Sequence, residues 1–198
     1  MTLINVGKNT VYCWRDSENT WNEVSCLPLT LSSLREARLR IRKACNQNNL
    51  DEVSAYEIEL LAEELLSNAL YATYTKNKEE FVVLRWKLNS SQFMIMILDY
   101  GGGIPKENIL SPKENTNLKP QEGCLPDGQK NIIKKFTRAG RGLSIIGGIA
   151  EKVDVLYHYP DGEFGCERQD KVAGSVVIAR YRVKNCRSSK KSLNCLAN

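Results

Sequence analysis

No apolar run in this 198-residue chain reaches the length needed to cross a membrane. The opening Met1-Thr2-Leu3-Ile4-Asn5 lacks the basic start and long apolar core of a signal peptide, so a cytoplasmic setting with no membrane partner is expected. The seven cysteines (Cys13, Cys26, Cys45, Cys124, Cys166, Cys186, Cys195) are odd in number and scattered, with no CxxC pair. That argues against a disulfide frame or a zinc site and for reduced thiols. Histidine occurs once, as His158 in an alternating strand-like run, where it reads as structural or exposed. No internal repeat is visible. Charge of one sign is scarce too: the net +5 is modest and spread along the chain. It gives little reason to expect direct nucleic-acid binding, and part of it suits an anionic nucleotide better.

What is present is ordinary globular composition, with 42% hydrophobic and 26% charged residues, enough for one domain with an ample core. Residues 1–27 hold two β-like pieces, Thr10–Trp14 and Trp21–Cys26, with Asp16-Ser17-Glu18-Asn19 as a turn, and read as an edge hairpin or an added interaction surface. An amphipathic helix follows, capped by Ser32 or Ser33 and ending near Cys45, with Leu34, Ala37, Ile41, Ala44 and Cys45 on one face. Asp51 opens a longer helix that fades by Lys76-Asn77-Lys78. Its stripe of Ile58, Leu61, Leu65, Ala69 and Ala72 recurs at helical spacing.

Two strands, Phe81–Leu88 and Gln92–Leu98, are joined by Asn89-Ser90-Ser91 as a hairpin. Residues 106–138 are polar with little periodicity, as expected of a lid or binding loop. A helix from Leu143 to about Glu151 and two strands, 152–159 and 174–183, complete the domain, and residues 185–198 read as a disordered tail.

Four short stretches carry chemistry. Glu64 and Asn68 are four apart, so a carboxylate and a carboxamide stack on one helix face along the apolar stripe. In Asp99-Tyr100-Gly101-Gly102-Gly103 an acid ends an apolar strand. Its ionised carboxylate only accepts hydrogen bonds, which suits a ligand amine such as the exocyclic amine of adenine, and the glycines let backbone approach a flat base. Gly140-Arg141-Gly142 precedes a helix start, where free N–H groups and the helix dipole favour phosphate. Gly174-Ser175 opens a strand and, taken alone, is structural.

In this order, Glu64-x-x-x-Asn68, Asp99-x-Gly101-x-Gly103, Gly140-x-Gly142 and Gly174-Ser175 resemble the N, G1, G2 and G3 boxes of the GHKL ATPase superfamily, across roughly residues 28–183. The form Glu-Leu-Leu-Ser-Asn-Ala-Leu is most similar to bacterial anti-sigma-factor serine kinases. The resemblance implies an α/β fold of the Bergerat ATP-binding type: a two-layer sandwich with a mixed, mostly antiparallel sheet and helices on one face. It divides the chain into an extension (1–27), the ATP-binding domain (28–184, lid 106–138) and a tail (185–198). It implies that Asn68 binds Mg²⁺, that Glu64 is the general base for an attacking serine, and that Asp99 reads adenine in a pocket shaped by Gly101 and Gly103. Gly140, Arg141 and Gly142 would cradle phosphates, with Arg138 or Arg141 stabilising the transferring phosphoryl group, and Ser175 would sit near the base.

The implied ligands are ATP and Mg²⁺. The implied partners are a small antagonist protein, a sigma factor or another regulator; separately, Trp14 and Trp21 on an edge hairpin would invite pairing with a second copy. A kinase, a non-catalytic ATP-dependent binder and a slow ATPase all remain open at this point. The lone histidine excludes an autophosphorylating histidine kinase, which needs its acceptor on a helical dimerisation segment. Two features depart from the family: Ala72 stands where its kinases often carry histidine, and the stretch between the G1 and G2 boxes is long.

Overall fold

Alternation along the strands decides which way the sheet faces. Val82, Leu84, Trp86 and Leu88 in one strand and Phe93, Ile95 and Ile97 in the next are buried, while the residues between them are less so. The computed structural model describes residues 2–6, 9–77, 79–104, 141–167 and 171–184. In chain order these form β1 (Thr2–Val6), β2 (Asn9–Arg15), β3 (Trp21–Pro28), α1 (Leu31–Gln47), α2 (Glu52–Lys76), β4 (Phe81–Leu88), β5 (Gln92–Leu98), α3 (Arg141–Ile149), β6 (Lys152–His158), β7 (Phe164–Gly165) and β8 (Gly174–Arg182). The lid expected at 106–138, the tail at 185–198, Arg138 and Gly140 lie outside the described residues.

The strands make one sheet in the order β1-β2-β3-β4-β5-β8-β6-β7. The fold is the expected two-layer α/β sandwich, with one correction: every described pairing is antiparallel, so the sheet is not mixed among these residues. The last long strand, β8, is inserted between β5 and β6. It therefore touches the ends of both, where Asp99 and His158 stand.

The hairpin read at 10–26 is real, but it is not an edge. β3 pairs with β4 along its whole length, and the unforeseen β1 covers the free side of β2. Trp21 packs against the core rather than standing exposed. β3 is also tied to α1 by charge. Glu23 is fully buried, and its carboxylate accepts from Arg40 Nε at 3.0 Å and Arg40 Nη2 at 2.9 Å, with Ser25 Oγ donating at 3.1 Å. Breaking such a buried pair by removing one partner costs about 3–5 kcal/mol, because the other charge is left uncompensated.

α1 buries the face expected of it, Leu34, Ala37, Ile41, Ala44 and Cys45. Its cap is Thr30, whose Oγ1 accepts from the Ser33 N–H at 3.2 Å, and not Ser32 or Ser33. α2 is capped as expected by Asp51, which accepts from the Ser54 N–H at 2.9 Å; that bond holds its carboxyl below the usual range. The helix buries more than its single stripe, adding Ala55, Ala62, Leu66 and Leu70, because it packs on the sheet, on α1 and on α3.

α3 begins at Arg141, two residues earlier than the periodicity suggested. Cys13, Cys26, Cys45 and Cys166 are free thiols. Burial pushes Cys45 up to about 12, and burial together with the Glu23 carboxylate does the same to Cys13. Among the described residues, no helix is long and apolar enough to cross a membrane.

Candidate functional site

The site is organised along one face of α2. Glu64, Asn68 and Ala72 follow at four-residue steps, which stack on a helix and span about 12 Å at 1.5 Å per residue. Two glycine corners abut that row. At the start of α3, a Cβ added to the buried Gly142 would stand 2.5 Å from Glu64 Oε2 and 3.5 Å from Asn68 Nδ2. At the other end, a Cβ on Gly101 would collide with the Ala72 side chain and come within 3.0 Å of Asp99 Oδ1. Lys76, one step further along the helix, brings its Nζ within 3.6 Å of a Cβ on Gly102. The small residue at 72 thus has a local reason: helix and loop meet there with no room for two side chains.

Asp99 follows the parity of Phe93, Ile95 and Ile97, so its side chain lies on the helix-covered side of the sheet and is only 1% exposed. Oδ2 accepts from Ser175 Oγ at 2.6 Å and Oδ1 from the Gly101 N–H at 2.8 Å. Burial pushes the carboxyl above its usual range, against the pull of those bonds. A carboxylate has about four acceptor positions, so two remain for a ligand donor. Gly102 and Gly103 adopt φ of 80° and 82°, a backbone region that favours glycine, and turn the chain beneath Val172 and Tyr157. The Gly102 N–H donates to the Ala173 carbonyl at 3.1 Å, and Tyr157 Oη donates to the Ile104 carbonyl at 2.9 Å.

The structure thus brings Asp99, Gly101, Gly103 and Ser175 together at one end of the row, and Glu64, Asn68 and Gly142 at the other. Gly140 is outside the described residues, and of Arg141 only its backbone place in α3 is described. Residues 27–163 match the family model of the histidine kinase-like ATPase domain. The chain belongs to that family. Histidine kinase-like ATPase domains bind ATP, typically with Mg²⁺. The matched stretch includes Glu64, Asn68, Asp99 and Gly142 but stops short of Gly174 and Ser175, which the sheet returns to Asp99. The chain is also similar in structure to the SiaB–SiaC complex from Pseudomonas aeruginosa, with a TM-score of 0.49 and 13% identity over 81% of this chain and 89% of that one. No curated protein matches it.

Sequence reasoning missed Thr73 in this ATPase domain's site and gave His158 and Gly174 no contact there. Thr73 is fully buried, and its Oγ1 accepts from the Tyr100 N–H at 3.0 Å. His158, read as structural or exposed, is structural: it is 6% exposed, with Nε2 at 2.7 Å from the Asp99 carbonyl oxygen. Gly174 has no room for a Cβ, which would run into that same carbonyl and into His158 Nε2. A hydroxyl within the buried part of α2, and a lone histidine at a strand end, were the available signals.

Proposed function

We propose that this histidine kinase-like ATPase domain is a regulatory protein-serine/threonine kinase of the anti-sigma type. It would use ATP with Mg²⁺ to phosphorylate a small antagonist protein, and exchange that protein for a sigma factor or other regulator according to nucleotide state. The observation that supports this reading is the row on α2. A carboxylate, a carboxamide and a small residue lie in line against two glycine corners, with a buried acid beyond the far end.

The residues present fit the ligand. At Gly142 and Gly101 the backbone comes so close to Glu64 and Ala72 that a Cβ would clash, which holds both glycine corners against the row. Asn68 offers a neutral oxygen of the kind Mg²⁺ accepts. In this reading Asp99, steadied by Ser175 and Gly101, accepts the base's amine, while Asn68 holds the ion and Mg²⁺ supplies charge neutralisation at the phosphates when bound. Gly142, Arg141 and Gly140 would cradle the phosphates, as the family resemblance implies. Glu64 receives the proton of the acceptor hydroxyl as that oxygen bonds to the terminal phosphorus and ADP leaves. An open groove of about 590 Å³ between α1 and α2 is lined by Ser32, Arg35, Arg38, Glu63 and Ser67, next in sequence to Glu64 and Asn68.

The test is incubation with γ-labelled ATP, Mg²⁺ and candidate small partner proteins. Label on a partner's serine or threonine supports the kinase. Nucleotide-dependent partner binding with no label on any partner makes this an ATP-dependent binder, and label released only as phosphate makes it a slow ATPase. Light scattering tests the proposed second copy. Because the hairpin is an inner part of the sheet, the open strand on that side, among the described residues, is β1.

A further inference from the structure

The peptide unit joining Asp99 to Tyr100 is held at both ends by side chains from different elements. Its carbonyl is 2.7 Å from His158 Nε2, on β6, and its N–H donates to Thr73 Oγ1, on α2, at 3.0 Å. A carbonyl only accepts, so Nε2 carries a hydrogen. Both holding groups are buried, and the imidazole is further fixed edge-on against the Tyr100 ring, with centroids 4.9 Å apart and planes at 80°. Gly174 keeps the space between the carbonyl and the imidazole free of a side chain.

A peptide unit is rigid and turns as a plane about the two soft dihedrals beside it. Rotation here would swing the Asp99 carbonyl away from β6 and displace the chain that carries the Gly101 N–H, which now meets Oδ1 at 2.8 Å, so the carboxylate would lose one of the two bonds that aim it. Holding both ends of the plane prevents that turn.

We propose that His158 and Thr73 are positioning residues that set base selectivity by locking the Asp99–Tyr100 peptide, so that the Asp99 carboxylate is aimed at an amino group of the bound base. The proposal rests on the adenine-nucleotide reading of this site. Adenine presents a 6-amino donor where guanine presents an oxo acceptor, so a fixed carboxylate accepts one and repels the other.

The experiment measures ATP and GTP affinity, with Mg²⁺, for the full chain and for His158→Phe, His158→Gln, Thr73→Val and Thr73→Ser. His158→Phe keeps a ring against Tyr100 but has no donor, and its ATP affinity should fall roughly tenfold, with the ATP-over-GTP preference falling alongside. His158→Gln, with an N–H at similar reach, should recover much of that preference. Thr73→Val should resemble His158→Phe, and Thr73→Ser the native protein.

A folded His158→Phe with the native ATP-to-GTP ratio overturns the proposal. If that variant does not fold, the same result from Thr73→Val overturns it. The chain has one histidine, so its imidazole is a single set of ¹⁵N signals in the native protein. A proton on Nε2 supports the lock, and an imidazole protonated only on Nδ1 overturns it without reference to nucleotide. Native protein that binds neither nucleotide overturns the adenine reading and the selectivity role together, which distinguishes that failure from a loss of the lock alone.

Discussion

The two ends of the row on α2 are built differently. At the Asp99 end, side chain and backbone are tied by Ser175, Gly101, Thr73, His158 and Ala173, and the acid is 1% exposed. At the Glu64 end the two polar side chains are half-buried, and the closest approach to Gly142 is made by the tip of a flexible carboxylate. The first end is assembled before any ligand arrives. The second can adjust. Under the proposed function that suits a place where charge moves and an acceptor must come and go, and it would let binding and chemistry be altered separately.

The largest separation should come from Glu64→Gln. It keeps shape and hydrogen bonding but removes the basic oxygen, so phosphoryl transfer should fall by roughly 10²–10⁴-fold while ATP affinity holds. Normal transfer in a single-turnover assay would mean that Glu64 is not the base. Gly142→Ala tests adaptability at the same end. The added methyl meets only the end of Glu64, so the fold should survive with an unchanged melting temperature. The displaced carboxylate should cost transfer about 10²-fold. A large loss of stability would show that this end is as rigid as the other.

Asp99→Asn probes the fixed end and should weaken ATP by roughly ten- to hundredfold, through loss of a charge-assisted bond. Its effect on the nucleotide-free protein runs the other way. Burial raises the Asp99 carboxyl in the folded state, so its favourable contribution is complete below the unfolded value and is lost as pH rises through the folded one. At neutral pH the native protein therefore bears a buried charge that asparagine does not. Asp99→Asn should melt higher there, and the advantage should shrink in acid; an advantage that grows in acid would contradict this.

The last comparison reads stability rather than activity. The methyl of Gly174→Ala meets backbone rather than a side-chain tip, so this variant should lose about 1–3 kcal/mol or more, read from denaturant midpoints, and weaken ATP with it. Equal tolerance of Gly142→Ala and Gly174→Ala would remove the distinction between the two ends.

Much of this was legible in the sequence because it rests on local periodicity. Strand alternation set the buried faces of β4 and β5, and helical spacing put Glu64 and Asn68 side by side. What stayed hidden depends on contacts between distant segments. Gly174-Ser175 is weak as a motif, and only the insertion of β8 beside β5 brings it to Asp99. Nothing in the spacing of Thr73 or His158 reveals that they hold the same peptide. Nothing in the spacing marks Glu23 as the buried partner of Arg40 either. The hairpin was misplaced at the edge because β1 gives little sequence signal, and the start of α1 shifted because Thr30, Ser32 and Ser33 are all competent caps.

The place of β8 bears on how the protein is made. Ser175 reaches Asp99 across 76 residues of chain. At about 5–20 residues per second, a ribosome takes on the order of 4–15 s to travel from one to the other. Throughout that interval α2, with Glu64 and Asn68, has already been synthesised, while Asp99 lacks its hydroxyl partner and its neighbouring strand. One end of the row is thus made early and the other is completed only as the last long strand emerges.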